Sequence, residues 1–216
     1  MSQESTAVTE QHFAYLRERT RGDDELLVAL KEAAKAAGLP EIAIAPEQAS
    51  LIQVLLRASG AREVVEVGTL GGYSAIWMAR ALPEGGRVRT IEVSERHARF
   101  AREWIARSDV AGRIEVHVGR GVDVLPRFAA GSADAAFLDA DKVSYPDYLR
   151  ECLRIVRRGG LILVDNAFAF GQLLEEGAED GDVEAVRAFN DLMARSEELQ
   201  GVIVPLGDGM WVAVRR

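Results

Sequence analysis

Apolar residues recur at helical spacing from Thr9 to about Ala37, through Phe13, Leu16, Leu26, Leu27 and Leu30. Gly22 interrupts the run, so two N-terminal helices are expected. Gly38-Leu39-Pro40 closes that region. Pro46-Glu47-Gln48 opens a further amphipathic helix through Leu51, Ile52, Leu55 and Leu56, which Gly60 stops. The periodicity then alternates: strands are expected at 63–67, 87–92, 113–118, 135–138 and 161–164, and helices at 74–81, 95–107, 122–128 and 146–156. This order predicts a doubly wound α/β fold, a parallel sheet covered by helices on both faces. After a helix at 183–195, strands at 202–204 and 211–214 flank Gly207-Asp208-Gly209, a hairpin signal. The sum is a seven-stranded, mostly parallel sheet with one terminal strand antiparallel. No internal repeat, low-complexity tract or Pro/Ser linker divides the chain, so one domain over 1–216 is expected. The acidic stretch 171–182 reads as a mobile surface loop.

Composition narrows the picture without changing it. With 48% hydrophobic residues in 216, one sizeable core is expected. The formal net charge is −8, with acidic residues spread along the chain, which disfavours a phosphate-tracking surface and hence nucleic acid as a partner. Cys152 is the only cysteine, so no intramolecular disulfide forms, a reducing compartment fits, and buried filler is its expected role. The polar, acidic start from Met1 to Glu10 lacks the pattern of a signal peptide, and no apolar stretch approaches membrane-spanning length. A soluble, cytoplasmic protein without a membrane partner is expected.

The first strand runs into Glu66-Val67-Gly68-Thr69-Leu70-Gly71-Gly72-Tyr73-Ser74. Glycines there permit a tight turn and close approach of a ligand to a helix N-terminus. A dinucleotide fingerprint requires G-x-G-x-x-G, whereas Gly68 is followed three and four positions later by Gly71 and Gly72, with acidic Glu66 just before. S-adenosylmethionine carries an ammonium, a carboxylate and a sulfonium but no phosphate. It suits Glu66 and the hydroxyls of Tyr73 and Ser74 better than a pyrophosphate does. The loop's cofactor-binding candidates are Glu66, Gly68, Thr69, Gly72, Tyr73 and Ser74. Glu92 closes the second strand, where a carboxylate accepts both ribose hydroxyls in either cofactor class. Competing readings are packing alone for the glycines and a helix cap for Glu92.

In such a sheet the fourth strand lies beside the first and the fifth beside the fourth, so their C-terminal ends are about 5 Å apart and border the cofactor loop. Those ends carry Asp139 and Asp165-Asn166. Two carboxylates and one amide oxygen form an oxygen-rich half-shell of the kind Mg²⁺ accepts, with Mn²⁺ or Ca²⁺ as alternatives, leaving positions for water or substrate. Lys142 follows on the next loop, and like charge beside a divalent cation disfavours an ammonium, which equips a lysine as general base. A vicinal diol chelated there would pass a proton to Lys142 and attack the cofactor methyl in line. Singly these residues are ordinary, since Asp after a strand often caps a helix and Asp-Asn is a common turn pair. Their convergence beside a nucleoside loop favours the metal reading. His12, His97 and His117 lie elsewhere and read as surface or core residues.

On these residues the chain resembles the cation-dependent O-methyltransferases, the group containing catechol O-methyltransferase and caffeoyl-coenzyme A O-methyltransferase, especially the small bacterial members. The resemblance runs from about Ile42 to the C-terminus. It rests on the Glu66 to Ser74 loop, on Phe137-Leu138-Asp139-Ala140-Asp141-Lys142 with Tyr145, on Gly159-Gly160-Leu161-Ile162-Leu163-Val164-Asp165-Asn166, and on Leu206-Gly207-Asp208-Gly209. It implies a Rossmann-like methyltransferase fold with extra N-terminal helices. Asp139, Asp165 and Asn166 become metal ligands, Asp139 and Lys142 the catalytic pair, and Asp141 a supporting residue. Glu66, Gly68 and Ser74 surround the methionine part, Glu92 the ribose, and Gly119-Arg120-Gly121 the adenine. Members often carry an acidic residue where Arg120 stands. Ile42-Ala43-Ile44-Ala45 replaces hydroxyl residues found in plant members, so a different substrate rim follows. A homodimer is implied, with residues 1–45 as a helical cap and dimerisation segment. Phe168, Phe170 and Trp211 either wall the entrance for a phenolic acceptor or belong to the core or dimer interface. The alternative functions are a nicotinamide-dependent oxidoreductase, which leaves Asp139, Lys142, Asp165 and Asn166 without a task, and a non-catalytic S-adenosylmethionine-binding module.

Overall fold

The computed structural model describes residues 8–175 and 180–216; the polar start at 1–7 and the centre of the acidic stretch at 176–179 lie outside the described residues. Three helices precede the sheet: α1 (Glu10–Arg19), α2 (Glu25–Ala36) and α3 (Pro46–Ala58). Asp24 caps α2 by accepting from the Leu27 amide at 3.0 Å, and Pro46 opens α3, where its missing N–H is no loss.

The sheet comprises β1 (Glu63–Val67), β2 (Arg87–Glu92), β3 (Ile114–Val118), β4 (Ala133–Leu138), β5 (Val156–Val164), β6 (Leu199–Val204) and β7 (Met210–Arg215). Their order is β3-β2-β1-β4-β5-β7-β6. Only β7 is reversed, antiparallel to both β5 and β6, which is the single reversed strand the sequence predicts. The connecting helices are α4 (Tyr73–Ala81), α5 (Glu95–Ala106), α6 (Gly121–Val124), α7 (Tyr145–Ile155) and α8 (Gly181–Arg195). Two elements depart from expectation. The helix expected at 122–128 is one α-turn followed by a 3-10 turn, because Pro126 cannot continue the hydrogen-bond ladder. β5 begins at Val156, well before 161: Arg157-Arg158-Gly159-Gly160 carries no strand preference, yet pairing of Val156 with Ala133 extends the strand across it.

Alternation along the central strands divides the core. Ala135, Phe137, Leu161 and Leu163 face α2 to α5 with Leu30, Ile52, Ile76 and Ile105, whereas Ala136, Leu138, Ile162 and Val164 face α6 to α8 with Leu149, Ile155 and Phe189. Cys152 is buried in the second core as filler. Among the described residues no helix is long and apolar enough to cross a membrane.

Asp134 ties the opposite end of the sheet together. Its carboxylate accepts from the Arg62 and Glu63 amides at 2.8 and 2.9 Å and from Arg157 Nε at 2.6 Å. Burial alone would raise this carboxyl, but the Arg157 guanidinium and the two amides outweigh it and hold it below the ordinary carboxylate range. Its stabilisation is therefore present above the unfolded-state pKa and is lost as pH falls through the folded value. Asp134→Ala should lower the unfolding free energy by about 1–3 kcal/mol at neutral pH. In urea titrations the gap to the parent chain should narrow below about pH 4.

Candidate active site

β1, β4 and β5 end at one level. Val67 pairs with Leu138 and Leu138 with Val164. The ladder runs one residue further, as the Asp139 amide donates to the Val67 carbonyl (2.9 Å) and the Asp165 amide to the Leu138 carbonyl (3.0 Å). Gly68 adopts φ +106°, and a Cβ there would lie 1.8 Å from the Asp139 carbonyl oxygen. Glycine at 68 is thus required by the neighbouring strand before any ligand arrives. A cavity of about 580 Å³ opens over these ends, with Gly68, Ser74, Glu92, Gly119, Gly121 and Asp139 in its wall.

The loop candidates divide between wall and support. Glu66 shares the parity of Val64, so its carboxylate points under α4 into the first core, where it is fully buried and accepts the Ser74 hydroxyl. Its Oε2 has no partner among the described residues. Burial, with the charges of Asp139 and Glu92 adding to it, pushes this carboxyl up to about 7. Ser74 stands in the cavity wall, and Glu66 supports it from behind. The Thr69 hydroxyl is turned to Thr90 at 2.5 Å, and Gly72, at φ +86°, meets Ala101 and Ile105 of α5. The Tyr73 hydroxyl, expected as a donor to the cofactor, is committed elsewhere. It donates to Asp23 at 2.6 Å, which fastens the N-terminal segment to α4, and Lys31 donates to the other Asp23 oxygen at 2.7 Å; the rest of Tyr73 lines the cavity.

Glu92 does face the cavity, and its two oxygens are fixed by the amides of Leu70 (2.8 Å) and Ser94 (2.9 Å). His97, which the sequence assigns to surface or core, also lines this cavity, with Nδ1 3.6 Å from Glu92. Gly121 lets the Tyr148 ring approach, since a Cβ there would lie 2.5 Å from it, and Tyr148 donates to Asp141 at 2.5 Å. Arg120 borders the cavity but its exposed guanidinium is paired with Asp123 at 2.8 and 3.1 Å. Ile42, Ala43 and Ile44, expected at the substrate rim, line the same cavity.

At its far side the oxygen-bearing residues converge on Lys142. The buried Nζ donates to Asn166 Oδ1 and to the Tyr145 hydroxyl, both at 2.7 Å, with Asp139 Oδ1 at 3.4 Å. Asp165 Oδ1 accepts from Gln48 Nε2 at 2.8 Å. Burial raises the carboxyls of both Asp139 and Asp165, the charge of Asp139 adding to the effect on Asp165, while Lys142 opposes it in both. One ammonium, paired with Asp139, faces two largely buried carboxyl groups, an arrangement with room for a further cation. The donor set is all oxygen, with no thiolate or imidazole, and fits a hard divalent ion. Among the described residues no trio of His, Cys, Asp or Glu side chains forms a metal cluster; the third oxygen here is the Asn166 amide.

Of the three aromatic candidates, Phe170 is half exposed with its ring centroid 5.8 Å from Lys142 Nζ. Phe168 lies against Gly209, and Trp211 is buried, its indole N–H donating to Asn190 at 2.7 Å. The start of the stretch expected to be mobile is fastened: Arg187 donates to the carbonyls of Gln172, Leu173 and Glu175 at 3.0, 3.0 and 2.6 Å. Two supports escape the sequence. Gln48 looks like one more first-turn helical residue, and Asp208 like a hairpin turn residue; only tertiary structure brings them to Asp165 and Asn166.

The family model described as O-methyltransferase matches residues 17–216. A catechol O-methyltransferase of Niastella koreensis is 36% identical over 89% of this chain and 90% of its own. One of Mycobacterium tuberculosis is 40% identical over 88% and 86%. The crystal structure of an O-methyltransferase from Bacillus cereus in complex with S-adenosylhomocysteine superposes with a TM-score of 0.85 at 34% identity, covering 94% of this chain and 96% of that one.

The buried Glu66 carboxyl, one of whose oxygens has no partner among the described residues, gives a test. Because its folded pKa is raised to about 7 from the ordinary 4.5, the stability linked to it is full below the unfolded value and is lost as pH rises through the folded one. Glu66→Gln should flatten the decline of unfolding free energy between those two values. By urea titration at pH 8 the ligand-free variant should be more stable than the parent by roughly 1–3 kcal/mol.

Proposed function

The chain belongs to the O-methyltransferase family, and from that premise we propose that it transfers the methyl group of S-adenosylmethionine to a hydroxyl of a small vicinal dihydroxy aromatic, using a divalent metal held by Asp139, Asp165 and Asn166. The observation that carries this reading is the double membership of Asp139. It forms part of the wall of the cavity that Ser74 and Glu92 also line, and its carboxylate shares the Lys142 ammonium with Asn166. Donor site and acceptor site therefore meet at one side chain. The catechol O-methyltransferase names of the two relatives support the acceptor class, and the S-adenosylhomocysteine complex of the Bacillus cereus protein supports the methyl donor.

The residue roles follow from the contacts. Glu92, its oxygens already oriented by two amides, accepts the ribose hydroxyls. Ser74, backed by Glu66, serves the methionine part, and Gly119 and Gly121 leave room for the adenine. Phe170 offers an apolar face to the acceptor ring beside Lys142. A divalent metal held by Asp139, Asp165 and Asn166 would supply Lewis acidity that lowers the pKa of an acceptor hydroxyl. With a divalent cation beside it disfavouring the ammonium, Lys142 would act as the neutral amine: its Nζ takes the hydroxyl proton, the acceptor oxygen forms its bond to the methyl carbon, and the carbon–sulfur bond breaks to leave the neutral thioether. Asp139 and Asn166, which border Lys142 on two sides, keep that nitrogen at the reacting oxygen. A hydride-transfer reading leaves this cluster without a task.

Turnover of a catechol should require Mg²⁺ or Mn²⁺ and stop on addition of EDTA; undiminished activity in metal-free buffer would overturn the proposal. Asp165→Ala should bind S-adenosylhomocysteine nearly as the parent does by calorimetry while losing turnover. Lys142→Ala should lower kcat by about 10²–10⁴-fold with a much smaller change in acceptor KM.

A further inference from the structure

The turn between β6 and β7, Gly207-Asp208-Gly209, makes its side-chain contacts outside its own hairpin. Asp208 Oδ2 accepts from Asn166 Nδ2 at 3.1 Å and from the Phe170 amide at 2.8 Å, and Oδ1 accepts from the Gly171 amide at 3.1 Å. These donors lie 42, 38 and 37 residues away in sequence, so the carboxylate is not stabilising a local turn. The backbone adds two bonds to the same segment, from the Ala167 amide to the Gly209 carbonyl (2.9 Å) and from the Phe168 amide to the Asp208 carbonyl (2.8 Å).

The segment so held is conformationally demanding. Among the described residues four non-glycine residues have positive φ, and three are Asn166 (+62°), Ala169 (+52°) and Phe170 (+58°). Side chains rarely adopt this region, and such outliers persist where the surroundings over-determine them. Asp208 bonds two of the three directly. Its bond to Asn166 also decides chemistry, because an amide whose nitrogen is committed to a carboxylate must turn its oxygen the other way. That oxygen is the one 2.7 Å from Lys142.

We propose that Asp208 is a positioning residue: it selects the Asn166 rotamer that aims the amide oxygen at the Lys142 cluster, and it holds Phe170 beside the same lysine. The inference rests on the metal reading only for its consequence, which is that loss of Asp208 loosens one ligand and lowers metal affinity. Partners of this kind, one bond removed from the metal, typically change affinity by about 10–100-fold.

The test uses the full chain without acceptor. Mn²⁺ binding is measured by calorimetry, and the side-chain NH₂ pair of Asn166 is followed in a proton–nitrogen correlation spectrum, assigned by its loss in Asn166→Asp. Asp208→Ala should weaken Mn²⁺ at least tenfold and shift and broaden the Asn166 pair, with S-adenosylhomocysteine affinity kept within about twofold as the check on folding. Asp208→Asn, which retains one acceptor oxygen, should fall between this variant and the parent, and it carries the test if Asp208→Ala does not fold. Parent-like Mn²⁺ affinity with unmoved Asn166 resonances in Asp208→Ala would overturn the proposal. If the parent itself takes up no Mn²⁺, the metal reading fails alone, and the Asn166 resonances decide the positioning role.

Discussion

The contact on which the rest of the site depends is the approach of Gly68 to the Asp139 carbonyl, where no side-chain atom fits. It sets the end of β1 against the end of β4 so closely that the loop opening α4 and the loop carrying Lys142 share one wall. A methyl donor and its acceptor must meet within near-attack distance, about 3–3.5 Å between reacting atoms. A fold that placed these loops one residue further apart would bind both partners without bringing them together. The parallel register, with Val67, Leu138 and Val164 in one row, converts that backbone contact into side-chain geometry by delivering Asp139 and Asp165 at the same level.

That geometry concentrates negative charge where water is scarce. Glu66, Asp139 and Asp165 all have carboxyls raised by burial. The chain meets this cost differently at each place: Glu66 has a serine hydroxyl, Asp165 the Gln48 amide, and Asp139 shares Lys142 with Asn166. Removing one member of a buried charged pair is typically destabilising by about 3–5 kcal/mol. Lys142 therefore serves the resting protein as well as the proposed reaction. Its ammonium pairs with Asp139 and bonds the Asn166 oxygen within that cluster.

What the sequence makes legible is whatever is local or periodic. Strand ends, the glycine loop, Asp139, Asp165-Asn166 and Lys142 announce themselves because each follows an apolar strand that the period of two identifies. At other positions the local signal leaves alternatives open that only tertiary contacts decide. Tyr73 sits where a cofactor donor belongs, but Asp23 reaches its hydroxyl from the link between α1 and α2. Trp211 is an aromatic on a terminal strand, and its pairing with Val164 turns it toward α8 and the core. His97, read from the sequence as a surface or core residue, lines the cavity beside Glu92. Gln48 and Asp208 are marked in the sequence only as helix-opening and hairpin residues, because their partners at the site lie 117 and 42 positions away.

These supports also explain how one chain combines a fixed reaction centre with an adaptable acceptor side. The donor side is built from β1, β2 and β4 in the middle of the sheet, held by backbone pairs and by glycines that admit nothing larger. The proposed acceptor side stands on β5 and the β6–β7 hairpin at the sheet's end, where left-handed backbone at Asn166, Ala169 and Phe170 is kept in place by one carboxylate and a few amides. Strain of that kind costs of order 1–3 kcal/mol per residue, comparable to the bonds that oppose it. Changes near Phe170 can therefore reshape the acceptor face at small energetic cost, whereas Gly68 admits no side chain without displacing Asp139 itself. On the proposed function, the chemistry is locked where the sheet is most buried, and selectivity falls where the backbone is most strained.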